Sequence, residues 1–448
     1  MSDALPLPPR PNLEQYKKVA KDLQKARKSG DPAAAREWAR RWMETLSRLQ
    51  GRAATPEVRE EMRRSAEQVE RDLNKIQKAN ERMGRCTLAN AQLLVARCHG
   101  FASWPRFAQH LKGLAAADSP VSKFELAADA IVEGDLKLLE KLLRENRELV
   151  RARSTREHRS TLLHYVSANG IEDFRQKTPQ NSVDIAKLLL DAGADVNAES
   201  DAYGGRSTPL GLTATSCHPE AAGLSIPLMK LLISRGATLD SPEGGSTAVS
   251  CLRNGRGEAA KFLAARGARL DLEGAAGVGR LDIVASFFDD TGQLRPTATP
   301  EQMKAAFAWA SEFGQTAVVD FLLQRGMDLH TKLPPHGETA LHWAAYGGHR
   351  ATVRLLLERG TPVDAKDESF DGTPLEWAMY AWGNASERAA RGNYYEVVAL
   401  LVRAGATLDS QWLEGDAEDR RPAFRKLQTD PRMLAALRGE IPSGAMTP

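Results

Sequence analysis

Arg175, Lys177 and His218 are the residues of this chain best suited by type to hold a ligand. Two cations and an imidazole on two separate polar stretches could take an acidic small molecule or peptide. Catalysis would need more, because nothing beside them supplies a nucleophile with its base, or a metal. Cys86, Cys98, Cys217 and Cys251 lack metal-ligand and redox spacing and read as reduced thiols. There is no Gly-rich phosphate loop and no Gly-x-Ser-x-Gly elbow. The expectation is a binding protein, not an enzyme, with no cofactor and no metal.

Charge adds a second candidate. Residues 1–115 hold 23 Lys and Arg against 13 Asp and Glu, and the remainder holds 38 against 45. A basic arm on an acidic body is a hint of nucleic-acid contact. The arm's cations are interleaved with acids, as in Glu57-Val58-Arg59-Glu60-Glu61-Met62-Arg63-Arg64, which is the pattern of solvated helix faces. The N-terminus has no apolar signal region, and no run is long enough to span a membrane. The expected compartment is the cytoplasm, with no membrane partner.

The elements that must carry these residues are set by a repeat. Gly337-Glu338-Thr339-Ala340-Leu341-His342-Trp343-Ala344-Ala345 is echoed by Gly372-Thr373-Pro374-Leu375-Glu376-Trp377-Ala378, with 34 residues from Thr to Thr. Trp309, Trp343 and Trp377 keep that beat, as do Gly326 and Gly360. A period of this size marks stacked units that bury their faces against one another. Thr339 suits an N-cap, and Gly360 a left-handed residue past a helix end.

Thr339-Ala340-Leu341-His342-Trp343-Ala344-Ala345 resembles the Thr-Pro-Leu-His-x-Ala opening of ankyrin repeats. The resemblance implies a unit of a turn and two antiparallel helices, and hence an all-α solenoid. Gly193-Ala194-Asp195-Val196-Asn197-Ala198 is similar to the segment that follows the second helix. It recurs at Gly236, Gly267, Gly326 and Gly405. Further helix openings stand at Thr161 and Thr208, and divergent units at 124–151 and 272–292. About eight units then fill residues 124–409. The resemblance also implies that His164 and His342 bond neighbouring backbone.

From opening Thr to closing Gly takes 21 residues in the cleanest unit (Thr339 to Gly360). It takes 32 from Thr161 to Gly193, 28 from Thr208 to Gly236 and 32 from Thr373 to Gly405. The excess lies between the two helices in each case: 171–182, 216–223 and 384–393. Such insertions map to loops on one face. They are either tolerated surface loops or a site, and in the second reading Phe174, Arg175, Lys177 and His218 form it.

The expected organisation is a Pro-rich leader (1–12), a basic helical region (13–115), the array (124–409) and C-terminal capping helices with a tail (410–448). Helices are predicted through Leu13 to Leu23, through Trp38 to Leu46 and from about Thr55 to Met83. Residues 87–112 resemble a helical segment found ahead of ankyrin arrays in bacterial proteins. They also resemble a helix-turn-helix reader, whose second helix would offer Arg106, Gln109 and His110 to DNA. The preferred reading is a cap over the apolar face of the first repeat.

Function then reads as a scaffold or inhibitor that binds a macromolecular partner, a protein in the first place. In ankyrin proteins the inter-repeat turns and the exposed ends of first helices form the concave binding surface. Here that implies Tyr203, Arg206, Glu368 and Phe370 with Tyr346 and Tyr380. Trp309, Trp343 and Trp377 read as mostly buried intercalating residues, with an aromatic binding stripe as the alternative. A nucleic-acid-associated regulator using the basic arm is the second reading. A small-ligand or enzyme site in the insertions is the third.

Overall fold

The computed structural model describes residues 4–8, 11–28, 32–49, 63–64, 66–67, 71, 87–241, 245–333, 337–384, 393–408, 426–427 and 429–441. Most of the expected helix from Thr55 to Met83 lies outside them, although residues 63–64, 66–67 and 71 are helical, and so do Cys86, the interior of the third insertion and most of residues 410–428. Among the described residues the regular structure is helical. Pairing between extended segments is confined to single bridges, Arg153–Thr161, Ser200–Ser207, Phe288–Leu294 and Leu333–Glu338. The described residues form an all-α fold in which pairs of antiparallel helices are preceded by further helices. It divides into two compact units, Met1–Pro242 and Glu243–Pro448.

The first unit begins with helices Leu13–Lys28, Pro32–Leu49, Leu88–Cys98 and Trp104–Ala115. Tyr16, Leu23, Trp38, Trp42, Leu94, Phe101 and Phe107 form their common core. Some of the basic arm's charge is taken up within a helix, where Glu37 bridges Arg40 and Arg41 on an exposed face. The residues of the helix-turn-helix reading separate. Arg106 and Gln109 are exposed, but His110 is buried with its Nδ1 2.7 Å from Thr155 Oγ1. Glu157 N–H donates to Gly100 O at 3.0 Å, so the segment before the second helix pair closes over the Gly100 turn. Helix pairs follow at Pro120–Glu133 with Leu136–Glu145, Leu162–Tyr165 with Ser182–Asp191, and Pro209–Thr215 with Ser225–Ser234.

The second unit holds five pairs among the described residues, opening at Thr247, Leu272, Pro300, Ala340 and Pro374. Neighbouring first helices can approach because small residues line their contacts. A Cβ on Gly277 would come within 2.6 Å of Leu252 Cδ1, and Ala344 and Ala345 are fully buried. Gly193, Gly236, Gly267, Gly326, Gly360 and Gly405 all end second helices with φ between 84° and 99°. A Cβ at each would meet open space, so backbone conformation alone selects glycine there.

Candidate functional site

The capping residues fix where first helices begin and therefore where the turns project. Thr339 N–H donates to His342 Nδ1 at 3.0 Å, and His342 Nε2 lies 3.0 Å from Gly372 O in the next turn. Nδ1 is thus the acceptor, and the Nε2 proton reaches the following repeat. His164 repeats the arrangement on Thr161 N–H and Ser207 O. Burial pushes both imidazoles down to about 4.

In the first unit the insertion after helix Leu162–Tyr165 behaves unlike either expectation for it. Arg175 is 5% exposed. Its guanidinium lies 2.7 Å from Glu125 Oε2, 2.6 Å from Asp129 Oδ1 and 3.4 Å from Glu172 Oε1. Arg156 shares Glu125 at 3.2 Å, pairs with Glu172, and donates to His99 O at 2.8 Å. Burial alone would raise the Glu125 carboxyl. The guanidiniums of Arg175 and Arg156 outweigh it and hold that group at about 2. Glu172 is held well below its ordinary value by Arg156 and Arg175, again against burial.

Three carboxylates surround Arg175, because a buried guanidinium is tolerable only when paired. Phe174 is half-buried, its ring 5.4 Å from the Arg175 guanidinium. Lys177 turns outward to Glu133 at 2.6 Å. His218 lies on the short helix Cys217–Ala221, half-buried. Sequence reasoning missed Glu125, Arg156 and Glu172. The one local signal was Glu125, an acid set among Phe124, Ala127 and Ala128 on an apolar helix face.

The turn after that repeat carries Tyr203 and Arg206. It is closed by Ser200 N–H to Ser207 O at 2.9 Å, with its reciprocal at 3.1 Å. Tyr203 and Arg206 adopt φ of 53° and 58°, a left-handed backbone that costs energy for side chains of this size. Tyr203 remains 66% exposed, and its hydroxyl donates to Asn169 Oδ1 at 2.6 Å. Arg206 is bonded by two nitrogens to Glu199, at 3.1 and 3.2 Å. The turn thus presents a fixed aromatic ring beside a charge-compensated guanidinium.

In the second unit the turn 367–372 is built around one buried carboxylate. Asp367 Oδ1 accepts from Ser369 N–H and Phe370 N–H, and Oδ2 from Gly372 N–H and the Trp377 indole at 3.1 Å. Phe370 is held on this frame with 68% of its surface exposed. Glu368 is exposed and folds over Gly337, while Tyr380, 45% exposed, stands one helical turn beyond Trp377. Trp309, Trp343 and Trp377 are each half-buried. Along the helix edge the rings of Trp343 and Trp377 lie 5.3 Å apart between centroids, and those of Tyr346 and Trp377 5.8 Å. Sequence reasoning found the aromatic residues and missed Asp367, the acid that organises them.

Among the described residues, no group of three or more His, Cys, Asp or Glu could hold a metal ion. No described helix is long and apolar enough to cross a membrane.

Residues 158–201 match the model of the ankyrin repeat, and residues 272–367 and 307–411 match the model of ankyrin repeats in three copies. Among solved structures, the ankyrin repeat domain of human ASB11 is similar to this chain at 18% identity. The match covers 63% of this chain and 98% of that one, with a TM-score of 0.32. No curated protein matches the sequence.

Proposed function

We propose that this chain, whose residues 158–201 and 272–411 are ankyrin repeats, is a non-enzymatic protein-binding module. Ankyrin repeats are in general protein-interaction modules. The finer reading places the partner on the turn-and-first-helix edge of the second unit, around Phe370, Glu368, Tyr346 and Tyr380. The observation that carries it is Phe370: a large apolar ring, 68% exposed, on a turn tied down by four bonds to Asp367. A rigid exposed aromatic loses little freedom on binding, which is the property of an interface hot spot. Tyr203 and Arg206 offer a similarly fixed turn in the first unit.

The basic N-terminal helices are less suited to nucleic acid than their charge suggests, since Arg40 and Arg41 are already paired with Glu37. A photo-crosslinking amino acid at Glu368, introduced into the full chain in its native extract, tests the reading. It should trap one dominant protein, and Phe370→Ala with Tyr380→Ala should abolish the product while Lys177→Ala leaves it. Loss through Lys177→Ala with retention in the aromatic double variant would move the site to the insertion edge.

A further inference from the structure

We propose that Trp343, Tyr346 and Trp377 form a receptor for the ammonium group of a lysine-type side chain on the protein partner. The inference rests on the protein-binding reading and deepens it. The three rings come from helices Ala340–Tyr346 and Pro374–Asn384, and they are perpendicular in every pairing. Trp343 and Trp377 are inclined at 78° with centroids 5.3 Å apart, and Tyr346 and Trp377 at 72° and 5.8 Å. Trp343 and Tyr346 are inclined at 87° and 6.2 Å. Three such planes meet in a corner. A cation about 4 Å from each of three perpendicular faces sets their centroids about 6 Å apart, inside the range for cation–π attraction. All three residues are half-buried, so packing holds the rings while part of each reaches solvent.

The electrostatics favour a cation. Burial works against the Asp367 charge. The backbone N–H of Phe370, the Trp377 indole and the N–H groups of Ser369 and Gly372 overcome it, so the carboxyl ionises below its usual range. That carboxylate accepts the Trp377 indole proton at 3.1 Å, which enriches the ring's electron density and strengthens its negative face. His342 stands edge-on to Trp377 at 5.6 Å and is neutral, since burial lowers it to about 4. In the preceding first helix, Glu312 occupies the position that Tyr346 holds in its own, adding an acid to the same column. The two lysines of the neighbouring turns are engaged: Lys332 Nζ donates to Lys366 O at 2.6 Å, and Lys366 Nζ meets Asp371 at 2.5 Å.

The walls of the corner are ring faces, which accept no strong hydrogen bond. An unmodified ammonium would have to keep its hydrating water, whereas a methylated one retains its charge and needs no acceptors. The corner should therefore prefer a trimethylated lysine side chain. The test titrates the full chain with Nα-acetyl-Nε-trimethyllysine methylamide and follows the indole N–H resonances of Trp343 and Trp377. Parallel titrations use the unmodified lysine derivative, the uncharged isostere with carbon in place of the quaternary nitrogen, and choline.

A saturable millimolar response to the trimethyl derivative is expected, with the uncharged isostere about tenfold weaker or more. Tyr346→Leu and Trp377→Leu should each weaken it by a similar factor, with folding checked by urea unfolding, while Trp377→Phe keeps most of the response. Equal binding of the isostere, no saturable response, or choline binding more tightly than the side-chain derivative would each overturn the proposal. A cross-link from position 368 that persists while the cationic probes fail would remove this inference alone. Failure of both would remove the protein-binding reading with it.

Discussion

His342→Gln should exchange stability at neutral pH for stability in acid. In the wild type the imidazole falls from 6.5 in the unfolded chain to about 4 when folded, through burial. The unfolded state therefore takes up a proton first as pH falls. The stabilisation is complete above about pH 6.5 and is lost progressively down to about pH 4. Linkage gives a loss of about 2 kcal/mol by about pH 5 and about 3 kcal/mol by about pH 4. Glutamine is a conservative probe because it fills the same capping-box role in the preceding first helix: Gln302 Oε1 accepts from Thr299 N–H. The variant keeps the cap and loses the bond from Nε2 to Gly372 O, a cost of about 1 kcal/mol at neutral pH. Urea unfolding of the full chain, followed by tryptophan fluorescence near pH 7.5 and near pH 5, should show the variant weaker at the first and equal or stronger at the second. A difference between variant and wild type that stays constant across that range would refute both the tautomer and the buried neutral imidazole.

Arg175→Leu should destabilise the first unit by about 3–5 kcal/mol, because it leaves Glu125 and Glu172 buried with one guanidinium between them; denaturant midpoints measure it. Gly360→Ala should cost only about 1–2 kcal/mol, since its φ of 84° is strained for alanine but no atom would clash, and the same unfolding assay reads it. Trp343→Ala should cost about 3 kcal/mol, at the low end for a large-to-small change because the ring is half-buried; a cost under about 1 kcal/mol would show that the stacked rings do not hold the repeats together. The full chain should show no binding to duplex DNA or RNA that falls steeply with salt near about 150 mM, as measured by fluorescence anisotropy.

What was legible in the sequence was local. Thr339 and His342 lie three residues apart and bond each other, and the closing glycines are chosen by their own backbone angle, so both can be read without knowing what packs nearby. Arg175 could not be read that way. Glu125 lies 50 residues before it, and only the stacking of different repeats brings the two together. The period of the tryptophans was plain, but the contacts of Trp343, Tyr346 and Trp377 with one another depend on how neighbouring first helices pack. Asp367 looked like one turn acid among several, and its four bonds depend on where Trp377 lands in the following helix.

The charge cluster around Arg175 has a consequence for modularity. Repeat arrays are nearly one-dimensional, and units can often be removed or swapped because each touches only its neighbours. Here Arg156 joins the carbonyl of His99 to Glu125 and Glu172, and Arg175 joins Glu125 to Asp129 and Glu172. The N-terminal helices and the first two repeats are thereby locked into one cooperative block. A truncation made at any repeat boundary inside it would strand buried charge, so the smallest piece of this half that can fold begins upstream of His99 and runs past Arg175. Its folding should also be slower than that of an ordinary array, because contacts spanning tens of residues must close before the charges are satisfied.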